Sequence, residues 1–379
     1  VVAVLSLFGI HPFDHPLAIT LVAGGAIVAA ATMLAWASEL AEVDIPQGLA
    51  LALVALVAVL PEYTVDLYFA WKAGQNPLYA HYATANMTGA NRMLIGIGWS
   101  AISFLYYFRS GKKSFVLDPG QIPAIWALMA ATFFSFLFPS TGNIGVWAGV
   151  VLLVIFAFYI KKSASVKSEE KLAEPFVEHL LERLSVRARR ALASSLFIYS
   201  ALVILASAQA FAEGLLGLGR HLHIDEFILV QWLAPLASEA PELLVALLFA
   251  WRLHPKAGLS TLISSKVNQW TLLVGMLPIV YAISNGGASW ALPLDARQSE
   301  ELLLTSAQSL FATMVFCNFR FSLGEAVVLF VLFLSQLCLP FYWVRMGFAF
   351  GYIALAVAWI VLSRQTRENL RGILFAWNR

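Results

Sequence analysis

The chain has 379 residues, 60% of them hydrophobic and 12% charged, with a mean hydropathy of +0.78; soluble domains carry about 45–50% apolar and about 25% charged residues, so a water-soluble globular protein is excluded. A formal net charge of +2 speaks against nucleic acid or an acidic macromolecule as partner. The two cysteines, Cys317 and Cys338, lie inside apolar runs, which excludes a disulfide framework and a CxxC metal or redox motif.

Apolar runs long enough to cross about 30 Å of hydrocarbon as helices, with no period-two alternation, predict an all-α polytopic membrane protein whose first partner is the lipid bilayer. In chain order the spans fall near 16–38, 46–71, 78–107, 121–138 and 143–160, then 191–216, 226–251, 258–283, 301–318 and 323–340, with one more at 342–363. The pattern is five, five and one. It predicts a first five-helix repeat over 1–160, a linker over 161–190, a second repeat over 191–340, and an extra transmembrane helix with a cytoplasmic tail over 341–379. The sequence begins at Val1 without methionine, and residues are expected to precede it.

Lys161 to Arg190 is the only long polar segment, and Phe176, Val177, Leu180, Leu181 and Leu184 within it recur at helical spacing, which predicts an amphipathic helix on the membrane surface. Its Lys and Arg density marks it cytoplasmic under the positive-inside rule. The basic segments Phe108 to Lys113, Trp251 to Lys256 and Asn318 to Phe321, and the tail with Arg364, Arg367 and Arg371, fall on the same side of that drawing. The N-terminus is then outside and the C-terminus cytoplasmic, in what is read as the cell (inner) membrane of a prokaryote. Glu39, Glu42 and Asp44 sit at a cytoplasmic helix end, while Glu213, His221, His223, Asp225 and Glu226 gather at an outer one, and both groups read as solvated rims. Trp71, Trp251, Tyr342 and Trp343 fit an interfacial aromatic belt.

The chain repeats itself. Pro61-Glu62 is followed by Phe69-Ala70-Trp71 as Pro241-Glu242 is followed by Phe249-Ala250-Trp251; Asn91 precedes Gly98 as Asn268 precedes Gly275; Asn91 precedes Leu117-Asp118 as Asn268 precedes Leu294-Asp295. Register held over so long a stretch indicates duplication. An odd number of spans per half inverts the second copy, giving an inverted-topology repeat of the kind that holds a transport site at the bilayer midplane.

Glu62 and Glu242 fall within their spans, where an ionised carboxylate costs at least about 2.5–3.5 kcal/mol unless it faces a partner or a wet cavity. The proline before each removes a backbone N–H and frees the carbonyl four residues back, at Val57 and Ala237. Oxygen ligands of this kind suit a hard cation.

The two segments resemble the α-repeats of the cation/calcium exchanger superfamily, which includes sodium/calcium and proton/calcium antiporters, and the resemblance covers nearly all of both five-helix halves. It implies two glutamates facing each other across a midplane site and alternating access driven by ion exchange, with inorganic cations as partners. No nucleophile and base pair, zinc motif or phosphate loop appears at matching membrane depth, so neither enzymatic activity nor a cofactor is expected. Carried over residue by residue, the Pro-Glu glutamates match Glu62 and Glu242. The turn hydroxyl four residues before the glutamate is matched by Ser238 but not by Ala58. In the partner helices two registers are open: Asn91 with Asn268 as an amide pair, or Thr88 with Ser265 as hydroxyls, which places Arg92 and Gln269 at the amide positions. Asp66, one turn beyond Glu62, adds a ligand or pairs with Arg92. Arg92 and Lys266 depart from the family pattern as charged residues in mid-span; either reaching the carboxylates would stand in for a bound sodium ion. The expected function is therefore antiport of calcium against sodium or protons. The alternatives are a proton-coupled exchanger of another cation, and a non-transporting scaffold or sensor neutralised by Arg92 and Lys266.

Overall fold

The computed structural model describes residues 15–42, 60–163, 175–339 and 341–375. Val57, Ala58 and Asp44, and the start of the span expected at 46–71, lie outside the described residues, as does the part of the linker over 164–174.

Every expected span is helical over most of its described length, the one expected at 143–160 opening on a short strand, Asn143–Gly145. The elements are α1 (Pro16–Glu42), α2 (Leu60–Gln75), α3 (Tyr79–Met93), a π-helical segment (Leu94–Trp99), α4 (Ser100–Ser110), β1 (Ser114–Val116), α5 (Ile122–Ser135), α6 (Leu137–Thr141), β2 (Asn143–Gly145) and α7 (Val146–Ser163). There follow α8 (Pro175–Arg183), α9 (Val186–Leu222), α10 (Glu226–Trp251), α11 (Pro255–Asn268), a second π-helical segment (Gln269–Leu273), α12 (Val274–Ser284), β3 (Ala291–Pro293), α13 (Ala296–Phe316), β4 (Arg320–Ser322), α14 (Leu323–Cys338), α15 (Tyr342–Leu362) and α16 (Arg364–Phe375). Among the described residues, six helices are long and apolar enough to cross a membrane by themselves, and α10 makes a seventh if its two bent arms count as one span. Ile198, Leu202, Leu205 and Leu362 project exposed apolar side chains from these helices; lipid solvates them, while each helix satisfies its own backbone.

Two compact units emerge from the packing: residues 1–86 with 168–245, and residues 87–167 with 246–379. In the first, α1 lies along α9 with α2 against α9, around a core of Ile27, Val65, Phe69, Phe211 and Val230. The linker helix α8 joins this unit through Val177, which packs with Leu40 and Ala193, and Leu180 packs on the same cluster. Part of its apolar face is thus covered by protein, where a lipid surface was expected; the side chains of Phe176 and Leu181 lie outside the described residues. The outer acidic group is also more structured than a solvated rim. Glu213 accepts hydrogen bonds from the hydroxyls of Tyr68 at 2.5 Å and Tyr79 at 3.2 Å, and Glu226 accepts one from Tyr82.

In the second unit α13 packs on α15 and α5, and α12 on α7. Here Gly149 and Gly275 allow close backbone approach: a Cβ at Gly149 would meet the Gly275 carbonyl oxygen at 2.4 Å, and one at Gly275 would meet that of Gly149 at 2.8 Å. Two antiparallel strand pairs close the ends of these helices. Ser114, Phe115 and Val116 pair with Ser322, Phe321 and Arg320, and Asn143, Ile144 and Gly145 pair with Pro293, Leu292 and Ala291. The interval from Asn91 to Asn268 also carries Ser114 to Ala291 and Gly145 to Ser322, so applying it to one pair generates the other. Each half of the sequence therefore contributes one strand to each pair.

Candidate cation site

In the first unit both Pro-Glu motifs lie in helical segments. The described part of α2 opens at Leu60 and carries Pro61-Glu62; the residues before Leu60 lie outside the described residues. In the second copy Pro241 sits inside a helix, where it removes one hydrogen bond and crowds the preceding turn. The arms Glu226–Ala240 and Glu242–Trp251 diverge by 61°.

Carboxylates gather around the two motifs. Glu62 is 4% exposed and Asp66 is fully buried. The carboxyl group of Glu62 shares a hydrogen bond with that of Glu239, and Asp66 and Glu242 are near enough to act on it electrostatically. A hydrogen bond between two carboxyl groups needs one proton held between them. Asn86 donates from its side-chain amide to Asp66 Oδ1 at 2.8 Å. Among the described residues, Glu62 Oε1 and Asp66 Oδ2 are buried acceptors without a hydrogen-bond donor, an arrangement that costs free energy unless a cation or proton meets it. Ser238 is buried, and its hydroxyl turns back to the carbonyl of Ala234 at 3.2 Å. Among the described residues, no three or more His, Cys, Asp or Glu side chains are grouped tightly enough to cage a metal ion.

The second unit holds the partner-helix residues. Thr88, Asn91, Arg92, Ser265, Lys266 and Asn268 are all buried, and a π-helical segment follows both asparagines; such segments often mark functional sites in helices. Asn91 donates from its amide to the Met87 carbonyl at 2.8 Å, and its Oδ1 receives the Lys266 ammonium at 2.7 Å. Asn91 is thus engaged by a lysine at the oxygen that the amide-pair register assigned to an ion.

Arg92 has a partner other than those considered from sequence, which were Asp66 and the Pro-Glu carboxylates. Its guanidinium pairs with Glu301 on α13 at 2.5 Å, with side chains 3% and 5% exposed. Arg345 at the start of α15 extends the network, lying 2.7 Å from Glu300 and 3.7 Å from Glu301. Gln308 donates to the Arg92 carbonyl at 3.4 Å.

Sequence reasoning missed Glu239 and Glu301. The signal for Glu239 was available: it stands three residues before Glu242 in an apolar run, on the same helical face. Glu301 lay at the edge of the expected span 301–318, and the helix in fact starts at Ala296, which carries it a turn inside.

The sequence profile of the family described as "Sodium/calcium exchanger protein" matches residues 15–161 and 192–342. A search of curated protein sequences found no match. Among solved structures, the crystal structure of an H+/Ca2+ exchanger, CAX, matches with a TM-score of 0.92 at 45% identity, covering 98% of this chain and 93% of that one. The sodium-calcium exchanger NCX_Mj matches with a TM-score of 0.55 at 16% identity, covering 86% of this chain and 98% of that one. At that identity the likeness speaks for the fold alone.

Proposed function

The chain belongs to the sodium/calcium exchanger protein family, which makes it a multi-pass membrane antiporter of cations rather than an enzyme, and from that premise we propose that it exports Ca2+ in exchange for protons. The observation that carries this reading is the carboxyl cluster of the first unit: Glu62 joined to Glu239 through a hydrogen bond, with Asp66 and Glu242 beside it and two buried carboxylate oxygens lacking donors. Protons and a divalent cation compete for such oxygens. Opening the Glu62–Glu239 bond releases its proton and offers the same atoms to Ca2+, which takes six to eight oxygen ligands; reprotonation expels the ion. The 45% identity to an H+/Ca2+ exchanger supports protons over sodium. Glu62, Glu242, Asp66 and Ser238 retain the ligand roles expected for them, and Glu239 joins them. Asn91, Asn268, Thr88 and Ser265, on the partner helices of the second unit, are proposed as further cation ligands.

The scaffold alternative rested on neutralisation by Arg92 and Lys266 together, and its Arg92 half loses support because Arg92 is matched by Glu301. The swapped strand pairs support the inverted repeat, with halves over 1–160 and 191–340, the linker at 161–190 and an appended helix from 341 onward. The basic loops support a cytoplasmic C-terminus.

The test is Ca2+ flux in proteoliposomes under an imposed pH gradient, compared with an imposed Na+ gradient. Proton-driven flux abolished by Glu62→Gln and by Glu242→Gln is the expected result. Flux driven by Na+ alone, or undiminished in either variant, refutes the mechanism.

A further inference from the structure

Asn91, the amide singled out from sequence, receives the Lys266 ammonium on its oxygen. Asn86, five residues earlier on α3, keeps its own oxygen clear. It is fully buried in the first unit, as is Asp66, and its amide nitrogen donates to Asp66 Oδ1 at 2.8 Å. Among the described residues the remaining oxygen of each partner, Asp66 Oδ2 and Asn86 Oδ1, is a buried acceptor with no donor, and so is Glu62 Oε1. Asp66 lies one turn beyond Glu62 on the same face of α2, near enough for the two carboxyl groups to act on each other electrostatically. Three such oxygens are costly to bury unless something positive meets them. Anchoring Asp66 needs only the amide nitrogen and would leave Asn86 Oδ1 as pure loss. The duplicated sequence also treats the pair as a unit: the intervals that carry Glu62 to Glu242 and Asn91 to Asn268 carry Asp66 to Ala246 and Asn86 to Ile263. Carboxylate and amide are present together in one copy and replaced together by apolar residues in the other.

We propose that Asn86 is a ligand of the transported Ca2+ and the residue that favours Ca2+ over Mg2+: Asn86 Oδ1, Asp66 Oδ2 and Glu62 Oε1 form one side of the ion's oxygen shell, while Asn86 Nδ2 holds Asp66 in place. This role rests on the transport reading and adds to it the group that sets the ion's identity. Among the described residues no three acidic, His or Cys side chains are grouped tightly enough to cage a metal by themselves, so a neutral oxygen supplies what the carboxylates lack. A further carboxylate would add a charge to be neutralised whenever the ion leaves; an amide raises the ligand count without one. Ca2+ takes six to eight oxygens in a flexible shell, whereas Mg2+ is held by one or two carboxylates and keeps several waters. An added amide oxygen therefore serves Ca2+ and leaves Mg2+ indifferent.

The experiment titrates the purified full chain in detergent with Ca2+ and with Mg2+ by calorimetry, and measures Eu3+ luminescence lifetimes in H2O and D2O, which count the waters left on a bound ion of Ca2+ size. Asn86→Ala is expected to weaken Ca2+ binding at least about tenfold, to leave Mg2+ binding unchanged, and to add a water to bound Eu3+. Asn86→Ser, whose hydroxyl is too short to reach the ion while holding Asp66, serves as a second variant with the same expected outcome should the alanine form not fold. Ca2+ and Mg2+ weakened in parallel with the water count unchanged would make Asn86 a positioning residue only and overturn the proposal, as would wild-type Ca2+ affinity in a folded variant. A wild type that binds neither Ca2+ nor Eu3+ overturns the transport reading along with it, so the two failures are told apart by the wild-type titration alone.

Discussion

Removing Glu301 isolates the energetics of the buried ion network. Arg92 and Glu301 approach to 2.5 Å with side chains only 3% and 5% exposed, so solvent screens neither. Breaking a buried pair by deleting one partner costs about 3–5 kcal/mol, because the remaining charge stays desolvated. Polar contacts inside membranes run weaker, and the value belongs at the lower end of that range, about 3 kcal/mol for Glu301→Gln. Arg345 keeps Glu300 at 2.7 Å, so Arg92 bears the loss. Replacing the whole pair, Arg92→Met with Glu301→Leu, leaves no orphan charge and should come back to within about 1 kcal/mol of wild type. The assay is equilibrium unfolding in mixed micelles with rising SDS, run as a double-mutant cycle. With either single variant costing about 3 kcal/mol and the double about 1 kcal/mol, the expected coupling is about 5 kcal/mol in magnitude. Additive single variants, or a double variant less stable than Glu301→Gln, would refute the argument that the pair is held by mutual neutralisation.

Glu239→Gln keeps the shape of the carboxyl pair but removes one exchangeable proton; proton-driven Ca2+ flux should fall at least about tenfold, in keeping with the loss of a charged ligand to a hard cation, as read in proteoliposomes. Pro241→Ala restores a donor at the 61° bend, so the helix should straighten and Ca2+ affinity drop with little loss of fold, measured by calorimetric titration beside circular dichroism. Gly149→Val places side-chain carbon against the Gly275 carbonyl, which a Cβ would already meet at 2.4 Å; the purified protein should lose about 1–3 kcal/mol or more from overpacking, whereas Gly25→Ala, with nothing within 4 Å of the added Cβ, should be neutral in the same SDS titration.

The spans were legible because a chain in lipid must satisfy its backbone locally, so apolar length alone announces a helix. The Pro-Glu pair was legible because it occurs twice. That same reliance on duplication hid Glu239 and Glu301. Counting back by the repeat intervals, Glu239 falls on Val59 and Glu301 on Ala124, so neither carboxylate has a twin to draw attention. The partner of Arg92 was hidden for a second reason: Glu301 is distant in sequence and sat at the expected helix boundary, where one turn decides between a wet end and a buried pair. The hold of Asn91 on Lys266 needs two helices brought side by side, which periodicity does not report. The strand pairs were invisible because three-residue strands carry no alternation long enough to read.

Those strand pairs bear on how the protein is made. Phe115 and Ile144 are buried residues whose cross-strand neighbours, Phe321 and Leu292, are supplied from the other half of the chain. While the ribosome has produced only the first half, β1 and β2 have no edge to join, and their backbone groups wait at the ends of helices already in the bilayer. The β2–β3 pair closes first, once Pro293 has emerged, and the β1–β4 pair only after Ser322. Insertion can proceed helix by helix, but closure of this unit is a late event that ties both copies of the duplicated sequence together.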